Sequence, residues 1–81
     1  MRISLFGKLR DLLGRELALP DEFHGQTLAE LRQSLAEAHP SAAADLLSAR
    51  VRTCVNDALV NDSHVVSVGD QIALLPPVSG G

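Results

Sequence analysis

Thr27-Leu28-Ala29-Glu30-Leu31-Arg32-Gln33-Ser34-Leu35-Ala36-Glu37-Ala38 is the stretch on which the fold turns. Thr27 and Glu30 stand three apart as a capping box, in which each side chain accepts the other's backbone N–H at the start of a helix. Leu28, Leu31, Leu35 and Ala38 then recur on one face, while Glu30, Gln33, Ser34 and Glu37 cover the other. A helix apolar on one side only is built to lie on a sheet. Pro40 ends it, because proline lacks the amide donor and clashes with the preceding turn. Ser41 to Leu47 reads as one or two further helical turns.

Outward from the helix the period changes. In Arg2 to Phe6, Ile3 and Leu5 alternate with Arg2 and Ser4, as in a half-buried strand. Gly7 breaks it, and Leu9, Leu12 and Leu13 follow at helical spacing as far as a stop at Gly14. Glu16 to Leu19 reads as a second short strand, closed by Pro20-Asp21. After the helix, Val51, Thr53 and Val55 alternate with Arg52 and Cys54. Asn56-Asp57 supplies turn chemistry, Ala58 to Val60 returns as a strand, and Asn61-Asp62-Ser63 is a loop. A last strand, Gln71 to Leu75, follows the Gly69-Asp70 turn. Strand, strand, helix, then several strands predict a single α+β domain over residues 1–81, with one main helix on one sheet.

Eighty-one residues bury only a little over about 60% of the unfolded surface, and Phe6 and Phe23 are the only aromatics, so Leu, Val, Ile and Ala must form the core. The seven basic residues are scattered in a chain of net charge −3, which argues against nucleic acid as a partner, since phosphate neutralisation needs a concentrated basic face. The acidic excess suggests docking on a basic protein surface. One cysteine allows no internal disulfide. No apolar run approaches the roughly 20 residues of a membrane span, and Met1-Arg2-Ile3-Ser4 shows no signal-peptide pattern, so the cytoplasm is the expected compartment.

The body offers no catalytic set. Cys54 lies mid-strand without a local histidine and reads as a small structural hydrophobe, its thiol expected to be buried. His24, His39 and His64 lack paired metal-ligand spacing, so no metal site is expected. The distinctive chemistry is at the end: Leu74-Leu75-Pro76-Pro77-Val78-Ser79-Gly80-Gly81. Two prolines fix φ, donate no N–H and force the sheet to stop. Leu75 to Val78 are expected to leave the body as a stiff stalk, and residues 76–81 to form a tail with a flexible diglycine tip. Glycines lack Cβ and can thread a channel too narrow for side chains, which suits a carboxylate carried into another protein's active site.

That tail resembles the C-terminus of the MoaD-type ubiquitin-like sulfur carriers, the small subunits of molybdopterin synthase. Phe6-Gly7-Lys8-Leu9-Arg10-Asp11-Leu12-Leu13-Gly14, Val55-Asn56-Asp57-Ala58-Leu59-Val60 and Gly69-Asp70-Gln71-Ile72-Ala73-Leu74 resemble the family's first strand and turn, its hairpin and its last strand. Some members carry aromatics before the two prolines, where this chain has Leu74 and Leu75.

The resemblance implies a ubiquitin-like β-grasp, a mixed sheet wrapped around one main helix. It implies that an E1-like adenylyltransferase uses ATP to adenylate the Gly81 carboxylate and that a sulfur donor enzyme converts it to a thiocarboxylate. AMP and sulfur are then transient covalent groups at Gly81, with no bound cofactor. Ser79 and Gly80 would insert with it into the large subunit of a heterotetrameric synthase. Leu75, Pro76, Pro77 and Val78 would bind that partner, and the sulfur would go to the dithiolene of molybdopterin. On this reading the chain is a non-catalytic subunit. A sulfur carrier for thiamine or another pathway, a ubiquitin-like protein modifier and a plain interaction module are the alternatives.

Overall fold

The structure, a computed structural model, describes residues 1–77. Its strands are β1 (Arg2–Leu5), β2 (Glu16–Ala18), β3 (Arg52–Val55), β4 (Ala58–Val60) and β5 (Gln71–Leu75), and its helices α1 (Gly7–Leu13), α2 (Leu28–Ala38) and α3 (Ala43–Leu46). The stretch from Gly7 to Leu13 is thus a seven-residue helix. The sheet runs β2-β1-β5-β3-β4. β1 and β5 are parallel, and every other pair is antiparallel. This is the mixed β-grasp sheet expected of the chain.

Alternation sorts the side chains. Ile3, Ile72 and Val55 lie in one cross-strand row, and Leu5, Leu74 and Thr53 in the next. None of the six is more than 4% exposed. Leu28, Leu31 and Leu35 of α2 close over them, with Leu9, Leu46, Val51 and Val66 filling the flanks. A core of this kind holds by area: each buried aliphatic side chain contributes about 1.5–3 kcal/mol. Phe23 is only partly buried against it.

The start of α2 leaves none of its first amide donors orphaned, a condition every helix must meet. Glu30 N–H donates to Thr27 Oγ1 (3.2 Å), and Thr27 N–H donates to Glu30 Oε1 (3.1 Å). That bond to the Thr27 backbone is the main cause holding the Glu30 carboxyl below its ordinary pKa. Leu28 and Ala29 donate to the carbonyls of His64 and Asp62, each at 3.0 Å. Thr27 also bridges Val65. The 62–66 segment is therefore a backbone clamp on the helix, and it drives Val66 into the core at 0% exposure.

The buried face of α2 departs from the expected one. Ala36 is buried, whereas Ala38, in the last turn, is exposed. Arg32 is buried too, at 5% exposure. Its guanidinium donates to the carbonyls of Leu46 (2.7 Å) and Ser48 (2.5 Å) and to Asp62 Oδ1 (3.2 Å). It thereby ties α2 to the end of α3, to the following turn and to the loop after β4. A buried donor set of this kind is expensive to remove because its acceptors lose their partners. Arg32→Met keeps the apolar stem and removes the donors; it should destabilise by roughly 2 kcal/mol or more, read as a lowered denaturant midpoint at unchanged m-value.

Candidate functional site

The tail springs from the middle of the sheet. β5 is hydrogen-bonded on both sides, to β1 and to β3, and Leu74 is fully buried between Leu5 and Thr53. Leu75 is the last rung, opposite Arg52, and is half-buried. It therefore belongs to the sheet, and the stalk begins one residue later, at Pro76, where the ladder loses its donor. Pro76 and Pro77 are exposed. Of the residues singled out from the sequence, Val78, Ser79, Gly80 and Gly81 lie outside the described residues.

The entry of β5 is stitched to the β3–β4 hairpin. Asn56 and Asp57 take φ values of 52° and 69°, as a two-residue turn matching the strand twist demands. Gln71 N–H donates to Asn56 Oδ1 (3.0 Å), and Asn56 Nδ2 donates to Asp70 Oδ1 (3.1 Å). Ser67 N–H donates to Asp70 Oδ2 at 2.8 Å. That backbone donor is the leading reason the Asp70 carboxyl is held below its ordinary pKa, outweighing partial burial, with Asn56 and His64 adding to it.

The root of the tail rests on α1 and its surroundings. Phe6, Lys8, Leu9, Asp45, Val51, Pro76 and Pro77 enclose a cavity of about 30 Å³. That is one water's share of liquid volume, so it holds the prolines and admits no ligand. Lys8 Nζ lies 3.5 Å from Asp45 Oδ2 across the same cluster.

The face of the sheet turned away from α2 is open. Ser4, Ala73, Cys54 and Leu59 form one cross-strand row, with Leu75 one step further along β5. Leu59 is 59% exposed and Phe6 40%. Cys54 is on this outer face, the side opposite Thr53 and Val55 on which the alternation placed it, and its thiol is half-buried rather than buried as expected. Beside the row, Ser4, Leu5, Phe6, Arg10, Arg15 and Glu16 line a depression of about 250 Å³, shallow and smaller than a typical small-molecule site. The arrangement suits a protein surface.

Charge on and beside this face is mixed. Arg2, Arg10, Arg15 and Arg52 are exposed there, and Glu16 answers Arg2 at 3.4 Å. Arg52 stands opposite Leu75 at the root of the tail, whereas Arg2 stands opposite Gln71 at the other end of β5. Phe6 and Leu59 as surface residues were not picked out from the sequence; hairpin register and strand parity carried that signal.

The histidines stay apart chemically. His24 Nδ1 accepts from Val68 N–H at 3.3 Å, and His64 lies 3.8 Å from Asp70. His39 closes α2 through its own N–H to Leu35. Among the described residues no group of three His, Cys, Asp or Glu could hold a metal, and no helix is long and apolar enough to cross a membrane.

The ThiS family model matches residues 3–81. The chain is 30% identical over 82 residues to the molybdopterin synthase sulfur carrier subunit of Escherichia coli, covering all of this chain and 99% of that one. Among solved structures, small archaeal modifier protein 1 of Haloferax volcanii superposes with a TM-score of 0.76 at 25% identity, over 95% of each chain. A complex of subunits 1 and 2 of molybdopterin-converting factor from Helicobacter pylori contains a chain matching at a TM-score of 0.61 and 27% identity, over 99% of this chain and 96% of that one.

The stitching at Asp70 gives a pH test with a fixed sign. A carboxyl whose folded pKa is depressed contributes stability above its unfolded pKa and loses it as the pH falls through the folded value. Asp70→Asn should be less stable than wild type at neutral pH, and the gap should narrow below about pH 4, as followed by thermal melts across the acid range.

Proposed function

The chain belongs to the ThiS family, and from that footing we propose that it is the sulfur carrier subunit of a molybdopterin synthase, working in the cytoplasm with its C-terminal glycine as the reactive end. One observation carries the reading: the diglycine tail continues the fully paired central strand, with an open apolar face beside its root. The body supplies rigidity and a docking surface, and the end of the chain supplies the chemistry.

A carboxylate is a poor electrophile. Attack of a Gly81 carboxylate oxygen on the α-phosphorus of ATP, on an E1-like enzyme, expels pyrophosphate and leaves an acyl adenylate. Sulfur delivered by a donor enzyme then takes the place of AMP at the carbonyl carbon. The resulting thiocarboxylate is a soft nucleophile, able to build a carbon–sulfur bond on a pterin precursor in the large subunit. Ser79 and Gly80 would thread with Gly81 into both enzymes. Leu75, Pro76, Pro77 and Val78 would lie at the partner surface, with Phe6 and Leu59 extending the contact over the sheet. The related complex from H. pylori supports a large-subunit partner of this kind.

Similarity to an archaeal protein named as a modifier favours a second use of the same activated carboxylate. Attack by a lysine amine in place of sulfur would give a protein conjugate.

Intact-mass analysis after incubation with the E1-like enzyme, ATP and a sulfur source should show one C-terminal oxygen replaced by sulfur. Cys54→Ser should give the same product, since the thiol has no part in the chemistry; loss of the product in a folded Cys54→Ser chain would contradict the carrier-terminus reading. Leu75→Asp should weaken large-subunit binding tenfold or more, because burying one apolar side chain is worth about 1.5–3 kcal/mol. Unchanged affinity by calorimetry, with folding intact, would put the interface elsewhere.

A further inference from the structure

Gly7 opens α1 at φ +59°, in the left-handed region. A Cβ built on it would stand 2.7 Å from Pro76 Cβ, 3.1 Å from Cγ and 3.8 Å from Cδ. Carbon atoms in good contact lie about 3.5–4.0 Å apart, so the first two distances leave no room for a side chain. The other three left-handed glycines among the described residues, Gly14, Gly25 and Gly69, would have nothing within 4 Å of an added Cβ. Backbone conformation accounts for a glycine at those positions; at Gly7 there is a contact as well.

We propose that Gly7 is a positioning residue for the tail: its bare Cα is the seat on which the Pro76 ring rests, and that seat sets the direction in which the chain leaves the sheet. Pro76 is exposed, so a displaced ring moves outward, and because the ring closes on its own backbone the chain moves with it. Pro76 has a rigid ring and a fixed φ. Leu74 and Leu75, just before it, are held in the ladder to β3. Beside it lies a cavity no larger than one water, walled by Phe6, Leu9 and Val51. A side chain at position 7 therefore redirects the chain beyond Pro76. The consequence for catalysis rests on the sulfur-carrier reading; the seat itself does not.

The test pairs Gly7→Ala with Gly25→Ala, which imposes left-handed strain without the clash. Gly7→Asn carries the same Cβ at lower backbone cost and serves if the alanine variant folds poorly. Each full-length chain is read in two ways. Backbone amide resonances of residues 78–81 should move in the position-7 variants and stay in place in Gly25→Ala. With the thiocarboxylated chains as substrate for the large subunit, the position-7 variants should lose about 100-fold in kcat, the scale of a 1 Å misplacement, at unchanged KM. Gly25→Ala should keep the wild-type kcat. Wild-type kcat and unmoved resonances in both position-7 variants would overturn the proposal, as would an equal loss in Gly25→Ala. If wild type itself never acquires sulfur, the sulfur-carrier reading fails, and the resonances still decide the seat.

Discussion

Everything about the working end depends on β5 being the centre of the sheet. A strand paired on both edges cannot slide, because a one-residue slip would turn its buried side chains to solvent. Here Ile72 and Leu74 are each locked between β1 and β3. Two prolines then end the ladder at a fixed point. A sequence with those prolines can place this strand centrally only if pairing stops at Leu75, and it does. The chain leaves the molecule from a strand paired on both edges, an anchor that suits the proposed delivery of a terminal group to another protein.

The rest of the domain serves that strand. α2 covers the two buried rows, and its own start is satisfied by the capping box and by the carbonyls of the 62–66 segment. Arg32 joins the far ends of these elements through carbonyls that no aliphatic side chain could satisfy. Asn56 and Asp70 fix where β5 begins. With so few aromatics, specificity of packing comes from these polar ties as much as from the shape of the aliphatic core. The outer face, free of such duties, carries Leu59, Phe6 and the arginines.

Much of this was legible in the residues. The capping box marked the helix start, period-two alternation marked β1 and β3, and Asn56-Asp57 marked the hairpin. Three features were not, each for a physical reason. Arg32 falls on the Leu28–Leu35 face, but charged side chains are seldom buried, and only the distant carbonyls of Leu46 and Ser48 make it possible. Val66 is a single buried valine in an irregular segment, where no period exists to announce it. The placing of Arg2 and Arg52 on one outer face is invisible in a net charge of −3, because these residues come to share a face only when β1 and β3 both pair with β5. The tail chemistry was read from Pro76-Pro77 and Gly80-Gly81 and from family likeness, and the ThiS match over residues 3–81 supports that likeness.

The central claim is that the chain works through the carboxylate of Gly81, and a single added residue tests it most directly. Moving that carboxylate outward by one residue displaces it by about 3.3–3.6 Å, far beyond what a positioned reaction tolerates. A chain extended by one residue after Gly81, shown by intact mass to stay unprocessed, should melt like wild type and yield no molybdopterin in a reconstituted synthase reaction. Molybdopterin formation at the wild-type rate by that extended chain would contradict the account.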